Sequence, residues 1–149
     1  MFTKRKSIKQ IEEGKDLAPK FDETGLIPVI TTDYKNGNVL MHGYMNRQAL
    51  KKTIETGEVY YWSRSRKTIW HKGATSGFIQ KVKEIRIDDD QDAIWVKVLT
   101  KASCHVGYKS CFYRSIPIKK NKIKMIFKEK KKTFNPKKIY KGLLNPTKI

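Results

Sequence analysis

The sequence lacks a long apolar run. No stretch of its 149 residues approaches the roughly 20 consecutive apolar residues that a membrane-spanning helix needs. Residues 1–15 are basic, but no continuous apolar segment follows them, so we expect no secretory signal. The length corresponds to about one domain, and the sequence shows no internal repeat. These absences favour a cytoplasmic protein.

Cysteine is also scarce, since Cys104 and Cys111 are the only two. They could be inert core residues or a disulfide. In a reducing cytoplasm, however, such thiols are more often metal-binding or catalytic than structural. We therefore expect two reduced thiols with a chemical role.

Acidic residues are few relative to basic ones. The chain has 33 Lys plus Arg against 14 Asp plus Glu, a net charge of +19. The imbalance is greatest from residue 119 onward, where 12 lysines face the single acid Glu129. A protein with this excess of positive charge is predicted to bind an anionic ligand, either a phosphorylated small molecule or a nucleic acid.

Composition divides the chain into three parts. Residues 1–20 form a polar extension with a weak helix that ends before Pro19. Residues 21–118 form the folded domain. Residues 119–149 are rich in lysine, asparagine and proline, which predicts a flexible or loosely docked tail. Such a tail could bind RNA, but a solvated extension is the favoured interpretation.

Within the domain, β-branched and aromatic runs alternate with turn signals. Asn36-Gly37 predicts a hairpin turn between strands at 26–32 and 39–44. Asn46 is suited to cap a helix that Gly57 ends. Further strands are predicted at 59–63, 69–71, 78–88 and 93–99. This order predicts an α+β fold with a curled, mostly antiparallel sheet and one main helix.

Four carboxylates fall within five residues at 88–92, and they repel one another unless a cation binds them. In an extended strand Asp88, Asp90 and Asp92 would share one face, and Asp89 would point to the other. Three oxygen ligands on one side suit Mg²⁺. A solvated turn is the alternative. An EF-hand is excluded, because Ala93 and Leu99 replace its glycine and its final glutamate.

A second metal site is suggested by spacing. Cys104 and Cys111 follow Asp89 by 15 and 22 residues, and a carboxylate with two thiolates is a permitted zinc ligand set. Next to Cys104, His105 is the first candidate for proton transfer and His71 the second, because the pKa of histidine lies near neutral pH. The alternative for His71 is a surface strand residue.

Two basic segments surround a glycine-containing loop. Guanidinium, ammonium and hydroxyl groups there could bind phosphate, although an ordinary hairpin loop with solvated charges is the alternative. The candidate phosphate-binding residues are Arg64, Arg66, Lys72, Thr75 and Ser76.

Five segments in order resemble the phosphoribosyl-AMP cyclohydrolase family over about residues 20–116. They are Gly25–Pro28 with Leu40–Asn46, Tyr61–Arg66, Trp70–Gly77, the Asp cluster, and Cys104–Arg114. The resemblance implies a histidine-biosynthesis enzyme that opens the adenine ring of phosphoribosyl-AMP at N1–C6. It also implies an intertwined homodimer that uses zinc and magnesium.

The resemblance assigns ligands residue by residue. Asp88, Asp90 and Asp92 match the family's magnesium aspartates, and Cys104 and Cys111 match two zinc cysteines. Asp89 stands where the family has a third cysteine. Two other hypotheses remain: a basic nucleic-acid-binding protein, and a metal-stabilised interaction protein that lost activity with the change at residue 89. The signature of zinc nucleobase deaminases is absent.

Overall fold

Eight strands and three helices make up the computed structural model, which describes residues 1–149. The helices are α1 (Ile8–Glu12), α2 (Arg47–Thr56) and α3 (Pro136–Ile139). The strands are β1 (Leu26–Asp33), β2 (Val39–Asn46), β3 (Tyr60–Ser63), β4 (Thr68–His71), β5 (Lys81–Ile87), β6 (Ile94–Leu99), β7 (Arg114–Ser115) and β8 (Ile126–Phe127). None of the helices has the length and apolar character required to cross a membrane.

The main sheet has the strand order β2-β1-β6-β5. β1 pairs with β2 and β5 pairs with β6 in antiparallel fashion, whereas β1 and β6 run parallel in the centre. Two smaller sheets, β3–β4 and β7–β8, are antiparallel. The predicted α+β class with a mostly antiparallel sheet is therefore confirmed.

Alternating apolar residues of the central strands form the core with α2. Its largest fully buried residues include Ile27, Leu40 and Tyr61. α2 begins as predicted, with the Asn46 side chain accepting a 2.8 Å hydrogen bond from the Ala49 amide. It ends at Gly57, whose φ of 70° is the left-handed conformation that glycine adopts readily. β3 then packs against β2, where the Tyr61 ring lies directly against Gly43.

One predicted strand boundary was wrong, and the predicted hairpin between β1 and β2 differs in its turn. The strand predicted at 78–88 covers only Lys81–Ile87, because Gly73 to Gly77 form tight turns and Ser76 accepts a hydrogen bond from the Phe78 amide. The hairpin between β1 and β2 is wider than a two-residue turn. Of Asn36 and Gly37, only the glycine has a positive φ.

Both ends of the chain contact the domain. Near the N-terminus α1 is a single short helix capped by Ser7. Near the C-terminus β8 pairs with β7, which follows the cysteines. The division of the chain at residues 20 and 118 remains a prediction. Both extensions contact segments of the candidate site.

Candidate functional site

The two cysteines lie in one loop, residues 104–114, which we call the cysteine loop. Backbone hydrogen bonds close it on itself: the Cys104 amide donates to Tyr108 and the Gly107 amide to Cys104. The rings of Tyr108 and Tyr113 stack at 4.1 Å. The Cys111 amide also donates to the Leu40 carbonyl at 2.7 Å, so β2 anchors the loop.

The two thiols are free and hydrogen-bonded to each other. The bond donated by Cys111 lowers the pKa of Cys104 to about 6, against the opposing effect of burial. The same bond raises the pKa of Cys111, which must keep its proton to donate it. The Cys104 thiol therefore ionises near neutral pH. A cysteine must lose its proton in this way to bind a metal.

Lys72 lies beside this pair and is 6% exposed. Its Nζ donates a 2.6 Å hydrogen bond to the carbonyl of Ser103, the residue before Cys104, and lies 4.9 Å from the centre of the Trp70 ring. Burial lowers the pKa of Lys72, and the neighbouring cysteines oppose that effect. The predicted role in phosphate binding does not fit this position, because the ammonium group points inward at the cysteine loop.

A buried chain of hydrogen bonds also ends at Ser103. The Thr31 hydroxyl and the Tyr61 hydroxyl are 2.6 Å apart, Tyr61 donates to Gln80 at 2.7 Å, and Gln80 donates to the Ser103 hydroxyl at 2.9 Å. These residues come from four separate segments, so they fix the start of the cysteine loop relative to the sheet. Sequence reasoning missed them, since none belongs to a residue type or spacing that signals a site.

His105 is half-buried and turned toward the end of the chain. Its Nε2 lies 3.4 Å from the Thr147 hydroxyl, and the Asn145 side chain hydrogen-bonds to the ring. Burial lowers the pKa of His105, the Lys72 charge adds to this, and Asn145 opposes it. The imidazole is therefore largely neutral at neutral pH and able to accept a proton.

His71 is held by a different group. Its Nε2 lies 2.8 Å from a Glu58 carboxylate oxygen, and its ring stacks on Tyr60 at 4.3 Å. This hydrogen bond and the ring stacking give the residue a structural environment on β4. The prediction that His71 is the second proton-transfer residue remains a prediction.

The acidic cluster forms a turn and not a strand, so the predicted alternation of faces was wrong. β5 ends at Ile87, and Gln91 adopts a left-handed φ of 59°. Asp88 accepts hydrogen bonds from the Asp92 and Ala93 amides. The ligand atoms that converge, all within 4.8 Å of one another, belong to Asp88, Asp89 and Asp90.

Gln91 connects this aspartate turn to the N-terminal extension. It is buried, its side chain donates to the carbonyls of Ile11 and Asp16, and it accepts from the Ala18 amide. Arg5 donates to the Asp90 carbonyl at 2.9 Å. The N-terminal extension thus supports the aspartate turn, a role that its sequence did not indicate.

Asp89 does not join the cysteines within one chain. Asp88, Asp89 and Asp90 are the only group of three or more potential ligands that converges. The predicted set of Asp89, Cys104 and Cys111 would need Asp89 from a second copy of the chain.

The two arginines lie on the turn between β3 and β4. Arg64 packs over the Tyr44 ring at 4.1 Å, and Arg66 lies 5.7 Å from the Trp70 ring while its Nε donates to Ser63. Thr75 and Ser76 lie in the loop after β4, which also carries Lys72 at its start. Arg64, Arg66 and Thr75 are exposed, so they are available to an anionic ligand.

Comparison with known proteins gives consistent matches. The family model described as phosphoribosyl-AMP cyclohydrolase matches residues 41–113. A protein of that name from Nitrobacter winogradskyi is 45% identical over 92% of this chain and 96% of its own length. The one from Bradyrhizobium diazoefficiens is 47% identical over 89% and 95%.

A third relative of the same name, from Rhodopseudomonas palustris strain BisB18, is 54% identical over 74% of this chain and 76% of its own length. Identity of 45–54% over 74–92% of this chain shows common family membership. The chain belongs to the phosphoribosyl-AMP cyclohydrolase family.

Proposed function

We propose that the protein hydrolyses the N1–C6 bond of the adenine ring in phosphoribosyl-AMP, a step of histidine biosynthesis, and that it uses zinc and magnesium. The supporting observation is the pair of hydrogen-bonded, reduced cysteines in a chain that matches named relatives over nearly its full length. The lowered pKa of Cys104 suits a residue that binds zinc as a thiolate, and bound zinc would have to displace the proton of Cys111.

Zinc, when bound, supplies a water molecule with a pKa lowered to about 7. Cys104, Cys111 and Asp89 of a second copy would hold it. His105, neutral and next to Cys104, accepts the proton of the attacking water. It returns that proton to N1 as the N1–C6 bond breaks, so the reaction consumes one water and releases nothing else.

The remaining groups bind and orient the substrate. Arg64, Arg66, Thr75 and Ser76 bind the phosphates, and Lys72 fixes the cysteine loop through Ser103. Asp88 and Asp90, with Asp92, are the proposed magnesium ligands. His71 remains the second candidate for proton transfer, positioned by Glu58.

We also propose that the protein is a homodimer with a curled sheet. The chain exposes 10,662 Å², whereas a compact monomer of its mass would expose about 7,900 Å². Part of this exposed surface is apolar: Ile30 and Trp95 are neighbours on β1 and β6, and they are 46% and 36% exposed. A second copy would cover such a face and bring its own Asp89.

The experiment is to incubate purified protein with zinc, magnesium and phosphoribosyl-AMP and to follow the ultraviolet change on ring opening. Chelation, Cys104→Ser and Cys111→Ser should each abolish turnover. Leu144→Ala, at a residue that is 97% exposed, is the control and should keep it. A metal-loaded dimer that leaves the substrate unchanged would refute the proposal.

The Asp89→Cys variant distinguishes this function from the alternative hypothesis of a metal-stabilised protein that has lost its activity. If wild type is inactive and Asp89→Cys alone turns over the substrate, the natural protein has lost the activity. If wild type is active, carboxylate ligation at this position is sufficient.

A further inference from the structure

We propose that residues 126–140, which we call the C-terminal clasp, hold the cysteine loop against the loop after β4 and so fix the positions of Cys104 and Cys111. The clasp comprises β8, α3 and the residues between them. The link to metal binding rests on the proposed function, whereas the link to thiol accessibility does not.

Backbone hydrogen bonds attach the clasp at two carbonyls of the cysteine loop. Gly107 accepts from the amides of Thr133 at 2.7 Å and Phe134 at 3.3 Å. Tyr113 accepts from the amides of Lys128 and Glu129. The β7–β8 pairing continues the same attachment beyond Tyr113. Cys111 therefore lies between the two attachment points, and Cys104 lies three residues before the first of them.

Gly107 is packed too closely for any other residue. A Cβ there would lie 2.8 Å from the Phe134 carbonyl oxygen and 3.0 Å from the Lys132 Cδ. Its φ of 110° is also strained for a residue with a side chain. The loop and the clasp are thus complementary in shape at this point, which a loosely associated tail would not require.

Aromatic side chains extend the contact to both loops. Phe127 packs 5.9 Å from Tyr113 and 6.3 Å from Tyr108. Phe134 packs 4.7 Å from Phe78, at the end of the loop after β4. The three aromatic residues of the tail are Phe127, Phe134 and Tyr140, and Tyr140 packs on Phe134. The clasp therefore bridges the loop that carries Thr75 and Ser76 and the loop that carries the cysteines.

The test uses full-length protein, a truncation after residue 125, and Phe134→Ala. Two quantities are measured: the rate at which iodoacetamide alkylates Cys104 in metal-free protein, mapped by peptide mass, and the zinc dissociation constant by chelator competition. In wild type Cys104 is only 3% exposed. Both changes should speed alkylation of Cys104 and weaken zinc binding by about 10- to 100-fold, the usual effect of losing support around metal ligands.

Two control variants accompany these. Leu144→Ala changes a solvated side chain beyond the clasp. Truncation after Leu143 removes Asn145 and Thr147, and hence the contacts with His105, but leaves the clasp intact. Both should leave the alkylation rate and zinc affinity at wild-type values.

A double-mutant comparison tests the bridge itself. If Phe78 and Phe134 act through their mutual contact, Phe78→Ala should change zinc affinity less in the Phe134→Ala variant than in the wild-type protein. Fully additive effects would overturn the bridging role. Should the truncated chain fail to fold, Phe134→Ala decides: unchanged alkylation and zinc affinity in that variant overturn the proposal.

Failure of the two proposals can be told apart. If wild type does not open phosphoribosyl-AMP but the clasp variants still expose Cys104, the proposed function fails and the clasp role stands. If wild type turns over the substrate and the truncated protein matches it in activity, alkylation and zinc affinity, the clasp role fails alone.

Discussion

Single residues around the cysteines determine which thiol ionises. The sequence showed two cysteines and a nearby histidine, and these could be predicted as a site because such residue types are rare in this chain. The buried lysine could not be assigned correctly. Lys72 follows a strand in a polar, glycine-containing loop, and only the folded chain shows that its ammonium group points inward at Ser103. Side-chain direction at such a position depends on packing between distant segments.

The first prediction concerns the ionisation of Cys104. In metal-free protein, thiolate absorbance in the ultraviolet should rise with pH around a midpoint of about 6, because the folded-state pKa is lowered to that value. The thiolate is present above this pH and lost below it. Cys104→Ser should abolish the transition. A midpoint near the ordinary cysteine pKa of about 8.5 would contradict the geometry of the pair.

Lys72→Met should raise this midpoint, since the Lys72 charge is one of the groups that lower the pKa of Cys104. It should also weaken zinc binding. Lys72→Arg retains the charge and serves as the matched variant. Equal midpoints in wild type and Lys72→Met would show that the lysine acts only through its hydrogen bond to Ser103.

A second ion pair ties the cysteine loop to β1. Lys109 Nζ lies 2.5 Å from a carboxylate oxygen of Asp33, whose side chain is 3% exposed. Burial is the largest single influence and raises the pKa of Asp33. The hydrogen bonds from Lys109, Lys35 and Asn36 and the Lys109 charge together outweigh it, so the net shift of the pKa is downward. The stabilisation is therefore fully present above the unfolded-state pKa and is lost as pH falls through the folded-state value.

Asp33→Asn should accordingly destabilise the protein by about 1–3 kcal/mol at neutral pH, because Lys109 and two backbone amides lose a charged acceptor. The difference from wild type should begin to shrink below the unfolded-state pKa of about 3.9 and continue to shrink as the pH falls through the lower folded-state pKa. Urea denaturation at both pH values measures it. A difference that does not depend on pH would contradict the ion-pair explanation.

At the scale of elements, local sequence rules predicted most of the domain. Asn46 and Gly57 set the ends of α2, and alternation predicted the main strands, because these signals act within a few residues. The aspartate turn was misread as a strand end. Its left-handed residue is Gln91, which is not a usual turn residue and is held by contacts with Ile11, Asp16 and Ala18. Such long-range contacts leave no periodic trace in the sequence.

Gln91→Gly tests this support, because glycine accepts the left-handed backbone and only the side-chain hydrogen bonds are lost. We expect about 1–3 kcal/mol of destabilisation from the polar groups left unsatisfied, and weaker magnesium binding at the aspartate turn. Melting temperature and calorimetric magnesium titration are the measurements. Gln48→Ala, at an exposed position on α2, is the control. Unchanged stability would show that the N-terminal extension does not support the aspartate turn.

At the scale of the whole molecule, part of one sheet face stays exposed, since Ile30 and Trp95 are 46% and 36% exposed. This apolar face is the basis of the proposed homodimer. Sequence could suggest a dimer only through family resemblance, since which face of a sheet stays uncovered depends on the finished fold.

Ile30→Glu tests the proposed homodimer. It should shift the protein toward the monomer in sedimentation experiments, because a charge on the apolar face opposes its burial. Zinc content per chain should fall in parallel if Asp89 comes from the second copy. Ile8→Glu alters an isoleucine that is 74% exposed on α1, away from the sheet, and serves as the control. A monomeric variant with full zinc content would place the third ligand within the same chain.

The parallel pairing of β1 with β6 has a consequence for biosynthesis. These strands are neighbours in space but lie more than sixty residues apart in the chain. While the nascent polypeptide emerges from the ribosome, the β1–β2 hairpin lacks this neighbouring strand, and a two-stranded sheet is marginally stable in water. The sheet gains β6, the second of its two central strands, only once residue 99 has left the exit tunnel, so a polypeptide arrested earlier would be open to proteolysis.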